Sequence, residues 1–461
     1  MLRTEVVVVG GGFAGLVSAA AMAARGATVT VLESHLGFDP RFRGELIHPR
    51  GVRGLETLGL KAPLFEAGAV AIKGFAVTAG EGQVPMVLPY GIGFGTGVGI
   101  DHHAMVGKLR EVVGARPGVR LLTGQRVDGL LRDGARISGV RTADGKQHRA
   151  DLTIGADGRQ SKIRALLGLN PEVKLLSHTV AVSVEGDVMP HPGHGHVFLG
   201  APGPILAYPY GQGRVRMCID VPVGEARGKA AIKQYVEDAF APFVPEPLRS
   251  AMLLSLQNRP LEGCATHSVS TDACAANGIV LVGDSGGCMH PLTAAGMTNA
   301  VNDVLTLCAC LGTAGPSQSA LLEYQQRRYR FIRSREVFTE ALYEVFRAHD
   351  EGSKALQAGT FRYWGSSQKA RAKSMGILSG EYANPRTFVS EYARVMGLST
   401  FDVWREAVKG RTPIKGASRM QALLSTSFER LERTFSRVLT TVVQERRAAL
   451  HPVAPMPEAT A

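Results

Sequence analysis

The sequence predicts an α/β fold: a dinucleotide-binding domain on a parallel sheet, an interleaved β-sheet domain that covers it, and a helical C-terminal region. Three observations predict it. The run E-V-V-V-V-G-G-G-F-A-G-L from Glu5 is an apolar strand closed by glycines and continued by an Ala-rich helix. Strand-end aspartates recur at Asp157 and Asp284. Short alternating strands (T-V-A-V-S-V, H-V-F-L, P-I-L-A-Y, R-V-R-M-C-I-D-V) fill Leu175 to Val223, and from about Gln318 the pattern turns helical.

The first unit runs from a strand through a glycine turn, a helix and a second glycine turn at Gly26 to a second strand ending in Glu33, which makes it a βαβ unit. Gly10 allows the tight turn, Gly12 lets a pyrophosphate approach the backbone, and Gly15 permits close helix–strand packing. The helix N-terminus offers unpaired N–H groups and partial positive charge to phosphates. Glu33, 18 residues past Gly15, is placed to accept hydrogen bonds from an adenosine ribose. This unit alone leaves FAD and NAD(P) both open.

Two later stretches bear on that choice. L-T-I-G-A-D-G-R-Q-S-K-I-R (152–164) ends a strand at Gly155 before Asp157-Gly158 and a basic helix start. I-V-L-V-G-D-S-G-G-C-M-H-P-L-T-A-A-G-M-T ends a strand in Asp284, with a helix expected from near Gly296. One βαβ unit with two distant strand-end acids suits an extended flavin dinucleotide. Asp284 would accept from ribitol hydroxyls. The helix N–H groups would face the pyrimidine edge, where the reduced ring carries negative charge.

A chain of 461 residues has room for two or three subdomains. With 45% hydrophobic and 20% charged residues its body is globular. The net charge of +12 raises nucleic acid as a partner, but the arginines are scattered, gather only in late helical runs such as Gln325 to Arg335, and are not interleaved with aromatics; no nucleic-acid partner is expected. Six cysteines show no C-x-x-C pair or zinc spacing, and the chain opens on a strand rather than a signal peptide, so a cytoplasmic setting is expected. No run of about 18 apolar residues argues for a spanning helix. H-P-G-H-G-H (191–196) lacks an acid or thiol to complete a metal set and reads as a turn entering a strand. G-I-G-F-G-T-G-V-G (91–99) reads as a flexible strand or loop near the cofactor. No second G-x-G-x-x-G unit exists for NAD(P)H, so electrons come from a transient NAD(P)H encounter or a separate reductase.

Together these motifs resemble the class A flavoprotein monooxygenases, and within them the squalene epoxidases. His290-Pro291-Leu292-Thr293, then Gly296-Met297-Thr298, stands where generic members carry a glycine-x-glycine-x-asparagine run. G-E-L-I-H-P-R-G (44–51) with Arg41 before it, H-V-F-L-G-A-P-G-P-I-L-A-Y (196–208), A-L-Y-E-V-F (341–346), F-R-Y-W (361–364) and G-I-L-S-G-E-Y-A-N-P-R (376–386) are similar to epoxidase segments. The resemblance implies an FAD-binding Rossmann-like domain of GR2/PHBH type in three parts (1–72, 101–172, 265–318). It implies a substrate-domain insertion at 73–100, a β-sheet substrate domain at 173–264, and a helical region at 319–461. It implies that Glu33 and Arg41 hold the adenosine and pyrophosphate side of FAD, and that Asp284 and Met297 lie against the ribitol and ring. The family's active-site glutamine falls on His48, its facing tyrosine on Phe75, and an arginine near the cofactor on Ala104.

The implied activity is epoxidation of an alkene in a lipophilic isoprenoid-type molecule, squalene or a prenylated aromatic such as a quinolone, through a flavin C4a-hydroperoxide formed with O₂. An alkene needs no deprotonation, so no dedicated general base is required and the pocket should be apolar. Two alternatives stay open: an aromatic-ring hydroxylase of the same fold, and a geranylgeranyl-type prenyl reductase that consumes no oxygen. His48 reads either as a catalytic or substrate-contacting polar group or as a satisfied packing histidine. At the end of the chain Met420, Leu424, Phe428, Leu431, Phe435, Val438 and Val442 form an apolar stripe. It suits core packing or a helix hairpin, or else a face for a membrane surface or a reductase.

Overall fold

The computed structural model describes residues 4–38, 42–80, 82–409 and Ser425. Arg41 and the apolar stripe from Met420 to Val442 lie outside the described residues.

The strand Glu5–Val9 sits inside a six-stranded sheet ordered Ala275–Ala276, Ile279–Leu281, Leu152–Gly155, Glu5–Val9, Thr28–Leu32, Val119–Leu122. Every pairing is parallel except the hairpin at one edge. Such a sheet is covered on both faces, which is why its strands are continuous apolar runs rather than alternating ones. The Ala-rich helix Phe13–Ala24 is buried from Phe13 to Met22 apart from Ala14, its small side chains permitting close approach to the sheet and to the helix Gly296–Leu311.

A second sheet of seven strands is ordered Glu262–Ser270, Glu172–Glu185, Arg214–Pro222, Ile205–Gly211, Gly195–Leu199, Gly74–Ala79, Met86–Pro89. The strand Gly74–Ala79 comes from far earlier in the chain and lies parallel to Gly195–Leu199, so the sheet is stitched from two distant segments. Its two faces follow strand alternation. Ile205, Ala207, Met217 and Ile219 pack under the helices Lys229–Ala239 and Leu248–Asn258, whereas Leu206 and Tyr208 join Phe75, Val77 and Leu88 on the inner face. The glycine-rich stretch contributes the short strand Gly97–Gly99, paired with Leu46–Ile47 and Val70–Ile72.

Helices Gln318–Arg347, Glu351–Ser366, Gln368–Leu378 and Pro385–Lys409 follow. The first has 30 residues, about 45 Å of helix, and joins both layers: Leu321 and Tyr324 pack with the parallel sheet, Val345 and Phe346 with the inner face of the second. The basic run Gln325 to Arg335 on this helix turns inward at two points, with Arg328 and Arg335 only 4% and 2% exposed. Arg335 donates to the carbonyls of Ile377 and Leu378, the open C-terminal end of helix Gln368–Leu378, where a cation is favoured. Arg50 donates to Gly380 O at 3.1 Å and to Asn302 Oδ1 at 2.7 Å, fastening the same corner to the cofactor-side layer.

Candidate active site

A cavity of about 540 Å³ opens between the two sheets. Its floor is the glycine turn. Gly10 has φ +108°, and a Cβ there would stand 2.4 Å from Ala156 O; a Cβ at Gly15 would stand 1.8 Å from Gly10 O. Both glycines are therefore steric necessities of the turn and of the helix packed on it. Gly12 differs: a Cβ would meet nothing within 4 Å, and the position lines the cavity, leaving the open approach to backbone that a pyrophosphate requires. That opening, the helix end behind it and the acids around it fit FAD.

Glu33 accepts the Gly11 N–H at 2.7 Å and the His35 N–H at 2.9 Å, with Arg110 at 3.8 Å. Burial would raise its carboxyl, but these N–H groups, the His35 ring and Arg110 outweigh it and hold the group below its ordinary value, so the cavity wall is anionic here. Asp157 also lines the cavity, yet its oxygens are engaged by the Ser161 hydroxyl at 2.6 Å and the Ile163 N–H at 3.0 Å. This strand-end acid thus spends its carboxylate on the start of helix Lys162–Leu166. The Asp284 side chain keeps 41% exposure, lines the cavity and has Arg159 Nε 3.9 Å away. Confinement in the cleft raises its carboxyl above the ordinary value, against the opposing pull of Arg159, Arg43, Arg328 and Arg164. Gly296 and Met297 border the same space at the first turn of helix Gly296–Leu311.

A buried ion pair absent from the sequence reading holds the Asp284 turn. Asp303 Oδ2 accepts the Gly283 N–H and Arg328 Nε, each at 2.9 Å, and Arg328 also donates to Gly286 O at 2.9 Å and Gly283 O at 3.2 Å. The sequence signal was Asp303 as the one charged residue of helix Gly296–Leu311. On the opposite wall Arg216 forks onto Glu45 at 2.8 and 2.9 Å, with Tyr208 OH 3.4 Å from the same carboxylate. This pair ties the second sheet to the segment preceding Leu46–Ile47.

A second, apolar chamber of about 110 Å³ adjoins the first, bordered by Phe75, Leu206, Leu342, Phe346, Trp364 and Met375 among others. Leu206, Leu292, Thr293 and Ala294 border both spaces, so the turn ahead of helix Gly296–Leu311 is the partition between them. Ala294 there takes the left-handed conformation, φ +47°.

His48 stands behind the partition and borders neither cavity. Its Nε2 lies 2.7 Å from Thr293 O and its Nδ1 2.7 Å from Tyr90 OH. A carbonyl can only accept, so Nε2 carries the proton and Nδ1 accepts from the tyrosine. Burial lowers its pKa to about 4, keeping it neutral. The expectation that His48 contacts substrate or acts as an acid is corrected: both nitrogens are engaged and the ring is sealed off. On the other side of the partition His290 Nδ1 accepts the Leu292 N–H at 3.1 Å, while its Nε2 faces Asp220 at 3.3 Å and Ser177 at 3.2 Å. The His191–His196 stretch forms the turn into strand Gly195–Leu199, His196 Nε2 accepting the His191 N–H at 3.1 Å.

A family model described as squalene epoxidase matches residues 149–408, and one described as an NAD(P)-binding Rossmann-like domain matches residues 8–62. The chain is 30% identical over 409 residues to squalene epoxidase 2, mitochondrial, of Arabidopsis thaliana, covering 85% of this chain and 69% of that protein. It is 27% identical over 410 residues to squalene epoxidase erg1 of Schizosaccharomyces pombe, covering 85% and 89%. Among solved structures, p-nitrophenol 4-monooxygenase of Pseudomonas putida gives a TM-score of 0.71 at 20% identity over 82% of this chain and 98% of that one. PqsL of Pseudomonas aeruginosa, described as a probable FAD-dependent monooxygenase, gives 0.61 at 21% identity over 81% and 99%. At such identities these two structures speak for the fold.

Proposed function

This chain belongs to the squalene epoxidase family, and we propose that it epoxidises an alkene of a hydrophobic isoprenoid-type substrate, squalene or a prenylated aromatic. It is a flavin monooxygenase that works with FAD, NAD(P)H and O₂. In the balanced reaction one atom of O₂ joins the alkene and the other leaves as water, with NAD(P)H giving two electrons and one hydrogen as hydride and the medium one proton. Bound FAD supplies the oxygen activation. The chain's own residues bind and orient: the turn at Gly12 offers backbone to the pyrophosphate, Glu33 and Arg41 serve the adenosine side, Asp284 the ribitol, and the amides leading from Gly296 the anionic edge of the ring.

The observation that carries the reading is the junction of a glycine-floored cavity, bordered by Glu33 and Asp284, with an apolar chamber across Leu206, Leu292, Thr293 and Ala294. An apolar chamber suits an alkene, which gives up no proton. It suits a phenol, which gains from a base, less well. His48, the catalytic candidate of the sequence, is neutral and already engaged. A reductase as electron source, and attachment of the last helices to an anionic lipid surface, belong to the same proposal. The charge of +12 supports the second, and no helix among the described residues is long and apolar enough to cross a membrane.

The test is incubation of FAD-loaded protein with NADPH and a reductase, presenting squalene and prenylated quinolones. Products heavier by one oxygen, with matching oxygen uptake, are expected. Full FAD occupancy with no oxygenated terpenoid overturns the proposal; saturation of double bonds without oxygen uptake points to a prenyl reductase, and stimulation by phenols alone to a hydroxylase.

A further inference from the structure

Thr293 is 2% exposed and borders both cavities, and its buried hydroxyl has no hydrogen-bond partner in the protein. A hydroxyl shut from water without a partner costs free energy, and a valine would fill the same space without that cost. The turn around it cannot rotate to supply one. Its carbonyl is tied to His48, which is buttressed in turn by Tyr90. The preceding Leu292 N–H is tied to His290, itself backed by Asp220 and Ser177. Leu206 and Leu292 beside it are apolar, so the partner left for the hydroxyl is whatever occupies the opening.

We propose that the Thr293 hydroxyl donates a hydrogen bond to the polar edge of the flavin ring at the opening between the two cavities, and that Tyr90 and His48 are the positioning residues that aim it. This rests on the FAD-monooxygenase reading above. Removing the donor should leave a site that still takes up FAD but controls the activated ring less well.

The experiment compares Thr293→Val, Thr293→Ser and His48→Ala with the unaltered chain, first for FAD uptake and oxygen consumption. A colourless or oxygen-inert unaltered chain strikes down the functional reading itself, before any variant is considered. Given a yellow, oxygen-consuming protein, T293V should displace the visible flavin band and release about three- to tenfold more hydrogen peroxide per NADPH, the scale of one lost neutral hydrogen bond. T293S should match the unaltered chain, and H48A should move the band in the same direction as T293V while adding nothing in the double variant. T293V losing FAD while T293S keeps it supports the contact equally. Identical spectra and peroxide yields in T293V and the unaltered chain, or equal impairment of T293V and T293S, overturn it. Additive effects of H48A and T293V overturn the positioning role.

Discussion

Asp284→Ala separates a cofactor ligand from a structural acid. The carboxylate lies in the cleft with 41% exposure, Arg159 stands 3.9 Å away, and burial raises its pKa, so the empty protein gains little from the charge. With FAD bound, the same carboxylate should accept from ribitol hydroxyls. Hydrogen bonds to a charged group contribute about 1.5–3 kcal/mol, which corresponds to a dissociation constant larger by about 10- to 150-fold. Quenching of flavin fluorescence during titration of the FAD-free protein gives that constant, and thermal melting of the same sample gives its stability. The expected outcome is weakened FAD binding with an unchanged or slightly raised melting temperature. An FAD constant within about twofold of the unaltered chain, or a large drop in melting temperature without FAD, would refute the assignment.

Asp303→Ala should behave oppositely. It strands the buried Arg328 guanidinium, costs about 3–5 kcal/mol, and lowers the denaturant midpoint with or without FAD. Acid should destabilise the fold through His48. Its pKa is about 4 in the folded chain against 6.5 when free, so the unfolded chain binds the extra proton. This contribution is complete above pH 6.5 and falls by about 3 kcal/mol as the pH drops towards 4. His48→Gln, whose amide can serve both Thr293 and Tyr90, should flatten the fall in melting temperature between pH 7 and 5. Leu342→Trp should fill the apolar chamber, cutting kcat/KM for an isoprenoid by about tenfold or more while FAD titrates normally.

The cofactor side was legible because its constraints are local. Gly10, Gly12 and Gly15 act within one turn, and each role follows from what a Cβ would strike or leave open. That Asp284 borders the cavity was legible for a similar reason, as an acid at the tip of an apolar strand. Asp157 shares that placement, but a serine four residues on and a helix start captured its carboxylate, a local competition that spacing alone did not rank. His48 depends on residues 42 and 245 positions away, and Glu45 meets Arg216 across 171, separations at which no sequence period operates. Arg328 and Arg335 fell in a basic helical run of the kind that usually faces water; their burial is set by Asp303 and by the end of a later helix, neither of which the run announces.

The corner at residues 377–381 bears on how a long molecule gets in. The chamber, about 110 Å³, falls short of the roughly 300–1,000 Å³ of sites that enclose drug-sized ligands, so a guest of isoprenoid length needs more room than it gives. Arg335 holds the C-terminal end of helix Gln368–Leu378 through backbone carbonyls, Arg50 holds Gly380 just beyond it, and the helix also packs beside strand Met86–Pro89. With that corner fixed, room for such a guest has to come from the other walls of the chamber.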